Sequence, residues 1–434
     1  MKVAAVIAEY NPFHTGHQYH LAKTRELNDV DYILVIMSGN FVQRGAPALL
    51  DKYTRTRMAL LGGADAVIEL PTIYATSSAE YFAQSSISLA NRLGVVDLLS
   101  FGSEAGSLFP LMDTASALLS GETGCQAALQ ALLKQGISYP AAREKSIAGY
   151  LSSCPKTTLD SLTTPNNILG VEYCRALLSS KSAIAPFTIP RQGKGFHDTH
   201  LEQDGNSYVS ASAIRNFLEK NCQISPDWQP KEKELAALSA YIPAESRAIL
   251  WEMVKKNSCI KEDDLSLLMY YKLLSEKEQG FDKYLDCSPD LSAKIIKSIS
   301  EYAGYSSFCR LLKSKDITYS RVSRMLLHIL LGMTTPGFYR EAYSEREYFL
   351  PYGRLLGFRK GSTALLSSIK KNSSIPLITK LPDAQKTLTG DALAFLNKEI
   401  YFTSIYEAVL QNKNKYQNNK TALDELRQSP VIIP

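Results

Sequence analysis

No stretch of twenty apolar residues free of charge occurs in this 434-residue chain; Met325 to Met333, among its longest apolar runs, contains His328 and is bounded by Arg324. A membrane-spanning helix needs about 20 such residues, so none is expected. The run Val3 to Tyr10 meets Glu9 and Asn11 too early for a signal peptide and has no small-residue cleavage site, so the protein is expected in the cytoplasm. Cys-x-x-Cys pairs are missing as well. Seven cysteines are scattered between Cys125 and Cys309, an odd number without metal-ligand spacing, which argues against a disulfide framework and a zinc site. There is no internal repeat and no strong excess of one charge: a net charge of +5 permits an anionic partner without requiring one. What is present is 45% hydrophobic and 21% charged residues, over a length that calls for two or three domains.

One stretch near the start organises the reading. Val3 to Tyr10 is an apolar run of strand length; an Asn11-Pro12 turn follows, then Phe13, His14, Thr15, Gly16 and His17, and Gln18 to Leu27 has helical spacing. A strand, a tight turn and a helix start suit an anion such as phosphate, because a helix N-terminus presents unpaired N–H groups and the positive end of its dipole. Two imidazoles at spacing three aim further donors at the same place.

Beyond this stretch, strands are predicted at Tyr32 to Met37, Ala66 to Leu70, Val95 to Phe101 and Ala185 to Ile189, alternating with helices at about Leu50 to Leu61, Ser77 to Leu93 and Ile168 to Leu178. Near-continuous apolar strands alternating with helices imply a parallel sheet covered on both faces, a Rossmann-like α/β domain. Ligands of such sheets sit at the carboxyl ends of the strands. Hence Asn11 to His17, Ser38 to Arg44 and Gly102 to Glu104 are the segments to watch. From about Pro226 the strands give way to successive amphipathic helices, and beyond Pro336 the pattern is mixed, with possible strands at Glu347 to Pro351, Arg354 to Phe358 and Ile375 to Ile378. The expected division is 1–225 as a catalytic α/β domain, 226–335 as a helical domain, and 336–434 as a mixed, basic region with a polar tail.

His14-Thr15-Gly16-His17 resembles the HxGH signature of the nucleotidylyltransferase superfamily, and Val209-Ser210-Ala211-Ser212-Ala213-Ile214-Arg215 resembles its second signature, I-S-S-T-x-I-R, with Ala211 as a departure that removes one hydroxyl. Further text, including Ser38-Gly39-Asn40-Phe41-Val42-Gln43-Arg44-Gly45 and Pro165-Asn166-Asn167-Ile168-Leu169-Gly170, resembles the bacterial tRNA(Met) cytidine acetate ligase family. The resemblance implies activation of acetate by ATP as acetyl-adenylate and transfer of acetyl to N4 of the wobble cytidine of elongator tRNA(Met). It implies catalytic roles for His14, His17 and Arg215. The implied ATP site comprises Ile7, Ala8, Glu9, Tyr10, Asn11, Pro12, Phe13, His14, Thr15, Gly16, His17, Gln18, Tyr19 and His20, with Gly102, Asn166, Arg191, Ser210, Ser212 and Arg215. Pre-placed donors are what attack on an α-phosphate demands, and a guanidinium fork suits phosphate well. Mg²⁺ is expected with the triphosphate and no protein metal site.

For acetate, Asn40, Gln43 and Arg44 are candidates by position on the loop after the second strand. A tRNA needs basic residues with interleaved aromatics; Arg340 to Lys371 holds seven basic against three acidic residues among Tyr343, Tyr348, Phe349, Tyr352 and Phe358. Arg340, Arg354, Arg359 and Lys360 are the tRNA candidates there, extended by Arg321 and Arg324. Two other readings stand beside this one: adenylylation of a small phosphorylated metabolite, which half of the chain would suffice for, and an RNA-binding protein with a merely structural nucleotide site.

Overall fold

A computed structural model describes residues 1–124, 126–135, 164–191, 208–221, 236–315, 317–334, 348–414 and 425–434, with isolated positions between 142 and 149. Five strands are parallel neighbours in the spatial order β5(Ala66–Leu70), β2(Tyr32–Ser38), β1(Val3–Ala8), β6(Leu98–Ser103), β7(Ala185–Pro190). Chain order runs outward from β1 in both directions, so the topological switch point lies between β1 and β6. The alternation of β1 explains why both sheet faces are covered: Val3 and Ala5 enter one core, Ala4 and Val6 the other. On the first face lie α4(Ala79–Leu93) and the helix Pro165–Ser179 through Phe82, Ile87, Tyr173 and Leu177. On the second lie α1(Thr15–Asn28) and α2(Lys52–Leu61), through Leu21 and Met58, and the helix Ala211–Asn221, through Ile214 and Leu218.

Four of the five helices expected in the middle of the chain are present, at Ala244–Lys255, Ser266–Glu276, Pro289–Ser298 and Tyr319–Leu331, joined by one not expected, Tyr305–Leu312; the fifth, Glu232 to Tyr241, begins outside the described residues, and 238–241 form turns. They rest on a hairpin that sequence reading took for a plain loop, β3(Phe41–Val42) with β4(Ala46–Pro47). Its turn residue Gly45 has φ +76°, and a Cβ there would lie 2.2 Å from the backbone nitrogen of Arg324. The Gly45 carbonyl accepts hydrogen bonds from Tyr305 (3.2 Å) and Ser323 (2.9 Å). The helical region thereby holds the hairpin in place.

The last third of the chain is not set apart from the sheet. β8(Gly353–Arg359) lies antiparallel against β5, and β9(Leu377–Ile378) and β10(Val431–Ile433) both pair with β8. A cut at 336 therefore passes through one sheet, and residues 348–351, the described part of the expected strand Glu347 to Pro351, are irregular. A buried ion cluster secures the added strand. Lys52 Nζ lies 2.7 Å from Glu69 and 2.6 Å from Glu425, while Arg354 Nη1 lies 3.0 Å from Glu69 and 2.6 Å from Glu425. Two positive and two negative groups cancel, which is what makes burial tolerable. Burial pushes the Glu425 carboxyl up, but Lys52 and Arg354 outweigh it and hold it at about 2.

Candidate active site

At the end of β1 the chain turns through Tyr10, a non-glycine residue at φ 49° whose ring packs on Phe13 and His17 at 4.9 and 4.8 Å. His14 then caps α1. Its Nδ1 accepts from the Gly16 amide (3.1 Å), and the His14 amide donates to Nδ1 of His17 (3.3 Å). With both Nδ1 atoms accepting, the neutral rings carry their protons on Nε2, leaving two N–H donors on the far side of the rings. The rings stack at 3.7 Å. Burial lowers the His14 pKa to about 3, with Arg191 and Arg215 adding to the effect, and burial pushes His17 well below its ordinary value. The glycine of the motif has a steric reason: a Cβ at Gly16 would meet His14 Cε1 at 2.9 Å.

Opposite this turn the helix Ala211–Asn221 begins. Ser210 accepts from the Ala213 amide (3.1 Å), and Arg215 reaches across to the Asn11 carbonyl (2.5 Å) while donating to Ser212 (3.1 Å). Both serine hydroxyls act here as acceptors, so each retains a proton to donate. Between the two halves lies a cavity of about 300 Å³ at the carboxyl edge of the sheet, over the switch point. Its lining includes His14, His17, His20, Arg191, Ser210, Ser212 and Arg215, and also Glu9, Gln43, Arg44, Phe82, Phe101, Leu169 and Tyr173. The first group offers donors and positive charge; the second sets Phe82, Phe101, Leu169 and Tyr173, with the Phe101 and Tyr173 rings 5.5 Å apart, beside the polar Glu9, Gln43 and Arg44. Two neutral imidazoles, two hydroxyls and two guanidiniums converging on one space can bind a polyphosphate and stabilise charge on it as it reacts.

The chain matches the family model described as HIGH Nucleotidyl Transferase over residues 1–421. It is 37% identical over 413 residues to the tRNA(Met) cytidine acetate ligase of Clostridium novyi, covering 94% of this chain and 98% of that one. It is 35% identical to that of Clostridium tetani with both chains covered completely. The chain belongs to this family of nucleotidyl transferases, the tRNA(Met) cytidine acetate ligases. Among solved structures it is similar to Thermotoga maritima TmcAL, with a TM-score of 0.86 at 29% identity over the whole of both chains. A second structure of that protein, bound with alpha-thio ATP, matches with a TM-score of 0.83 at 28% identity, over 100% of this chain and 99% of that one.

Within a family fold of this kind the residues singled out from sequence separate by position. Ile7, Ala8, Glu9, Tyr10, Asn11, Gly16, Tyr19, Gly102 and Asn166 line the cavity, along with the histidines, serines and arginines above. Pro12, Phe13, Thr15 and Gln18 do not. Phe13 is fully buried against Gly62, and the Thr15 amide donates to the Tyr241 carbonyl. Phe13 is thus a packing residue inside the motif. Asn40 is likewise structural: it is buried, and its side-chain oxygen accepts from the Lys52 amide at 2.9 Å, so of the acetate candidates only Gln43 and Arg44 reach the cavity.

The basic candidates fare less evenly. Arg354 belongs to the buried ion cluster and is 6% exposed, so it is corrected from a surface contact to a core residue. Arg359 and Lys360 end a strand that runs antiparallel to β5; Phe358 is level with Ala66, and the Arg359 amide donates to the Asp65 carbonyl. That is the amino edge of the sheet, opposite the cavity and about 13 Å of strand away. Arg321 and Arg324, by contrast, lie on the helix that touches Gly45, next to Arg44 at the cavity. Arg340 lies outside the described residues.

Sequence reading did not single out Phe82 and Tyr173, which lie in predicted helices, or Arg55. The Arg55 side chain is fully buried and donates to the carbonyls of Glu9 (2.7 Å), Ser38 (3.0 Å), Leu50 (2.9 Å) and Gly39. It ties the ends of β1 and β2 together beneath the cavity. A lone arginine in a helix carries no pattern that would have revealed this.

Proposed function

We propose that this protein is an ATP-dependent ligase that activates acetate and transfers its acetyl group to N4 of the wobble cytidine of elongator tRNA(Met). In the first step a carboxylate oxygen of acetate attacks the α-phosphorus of ATP, and pyrophosphate leaves. In the second, N4 of the cytidine attacks the carbonyl of acetyl-adenylate, AMP leaves and N4 gives up a proton. The observation that carries this reading is the convergence of the stacked His14 and His17 with Arg215 on one cavity over the switch point, in a chain with full-length relatives of that name.

In this reading the His14 and His17 Nε2–H groups donate to phosphate oxygens, with Arg191, Arg215 and the hydroxyls of Ser210 and Ser212 gripping the rest of the triphosphate. Their role is to stabilise charge that grows on the phosphates as pyrophosphate departs. Among the described residues no group of three or more His, Cys, Asp or Glu is placed to hold a metal ion, so Mg²⁺ would be held by phosphate oxygens. Arg321 and Arg324 are the basic residues proposed to contact tRNA. No described helix is long and apolar enough to cross a membrane, and the cytoplasm, where tRNA is used, is the compartment proposed.

Purified protein incubated with ATP, acetate and bulk tRNA, followed by nucleoside mass spectrometry, tests the reading. Acetate-dependent N4-acetylcytidine is the expected product. Its absence, with AMP instead transferred to a phosphorylated metabolite, overturns the reading in favour of an adenylyltransferase.

A further inference from the structure

We infer that the recess formed by Glu9, Gln43, Phe82, Phe101, Leu169 and Tyr173 is the acyl subsite: the Gln43 carboxamide and the Tyr173 hydroxyl hold the carboxylate of a short acid, and the aromatic floor limits its chain length. The assignment rests on the reading of the protein as an acetate-activating enzyme.

Buried polar atoms in folded proteins are nearly always paired, and unpaired ones call for an explanation. Three residues lining the cavity carry such atoms: the hydroxyls of Tyr10 and Tyr173 and Nε2 of Gln43, each buried and without a hydrogen-bond partner. The Tyr10 ring packs on His17, on the phosphate side. The other two lie on residues that both adjoin Glu9: its carboxylate accepts from the Gln43 backbone N–H at 2.9 Å, and its charge acts on Tyr173. Burial first, and Glu9 second, push the Tyr173 phenol far up, so at neutral pH it is a donor. A primary amide N–H and a phenol O–H in one recess match the two oxygens of a carboxylate.

The charge balance admits an anion. Arg44, Glu9 and Glu262 all act on Arg215, and of the described residues that line the cavity Arg44, Arg191 and Arg215 are cationic against Glu9 alone, an excess of positive charge. The remaining walls are apolar. Phe82 and Phe101 are 2% and 5% exposed, the Phe101 and Tyr173 rings lie 5.5 Å apart, and Leu169 completes the lining. A methyl group is well suited to such a floor; each further methylene requires it to yield, and close-packed interiors resist that.

Acetate-dependent ATP–pyrophosphate exchange, measured with and without tRNA for the wild type, Tyr173→Phe, Gln43→Leu and Phe82→Ala, tests the assignment. Tyr173→Phe removes a hydroxyl that has no partner in the protein, so its Tm should be unchanged or higher, whereas its KM for acetate should rise at least about tenfold with KM for ATP unchanged. Gln43→Leu should act likewise, and Phe82→Ala should raise the rate with propionate or butyrate relative to acetate. Wild-type KM for acetate in both polar variants, or an unchanged chain-length profile in Phe82→Ala, overturns the subsite. A wild-type protein with no acetate-dependent exchange at all overturns the functional reading instead.

Discussion

The two edges of the central sheet use charge in opposite ways. At the carboxyl edge, Arg191, Arg215 and Arg44 surround a cavity with only Glu9 as an acidic lining residue among the described residues, and His14 and His17 between them are held neutral. In the flank added by β8, Lys52, Glu69, Arg354 and Glu425 neutralise one another and leave nothing for a ligand to bind. An excess of one sign around an open space marks a binding site; matched charges in a closed space mark a joint. Arg354 and Arg215 are both buried arginines, and only their partners tell them apart.

Arg354→Ala is the largest perturbation of the contrast. It leaves Glu69 and Glu425 sharing Lys52 alone, a buried net negative charge, and should cost about 3–5 kcal/mol of stability in chemical denaturation. A loss of tRNA affinity with normal stability would return Arg354 to the surface role assigned from sequence.

The neutral histidines make a smaller, pH-dependent contribution. A histidine at about 3 in the folded chain and near 6.5 when unfolded binds its proton more readily in the unfolded state below pH 6.5. Folding stability should therefore be full above that pH and fall as the pH drops toward 3. Between pH 7.5 and 5.5 the loss is roughly 1.4 kcal/mol for one such group. Denaturation of the ligand-free protein across this range should show the slope, and His14→Asn should reduce it; an identical slope in the variant would remove His14 from the account.

The smallest expected effect concerns RNA. Replacing Arg321 and Arg324 by alanine should weaken tRNA binding and lower its salt dependence by up to about one counterion per lost phosphate contact. Replacing Arg359 and Lys360, on the far edge, should change neither. The reverse result would move the RNA surface to the amino edge of the sheet.

The same contrast explains what was legible in the sequence. β1, β2, β5 and β7 and the helices between them announce themselves by local periodicity, and His14, His17 and Arg215 by motifs whose spacing is set by one turn and one helix start. Arg354 was misread because its partners, Glu69 and Glu425, come from distant parts of the chain, and composition alone shows only an arginine among tyrosines. The antiparallel entry of β8 beside β5 is hidden for the same reason. Tyr173 and Phe82 were hidden differently: apolar residues on a helix read as core, and only the assembled structure reveals that part of the core faces a cavity.

The central claim is that the carboxyl-edge cavity performs the first chemical step. Acetate-dependent pyrophosphate exchange by His14→Ala, with its folding verified by Tm, tests it most directly. Near-complete loss of exchange in a folded variant is the predicted result; exchange close to the wild-type rate would contradict it.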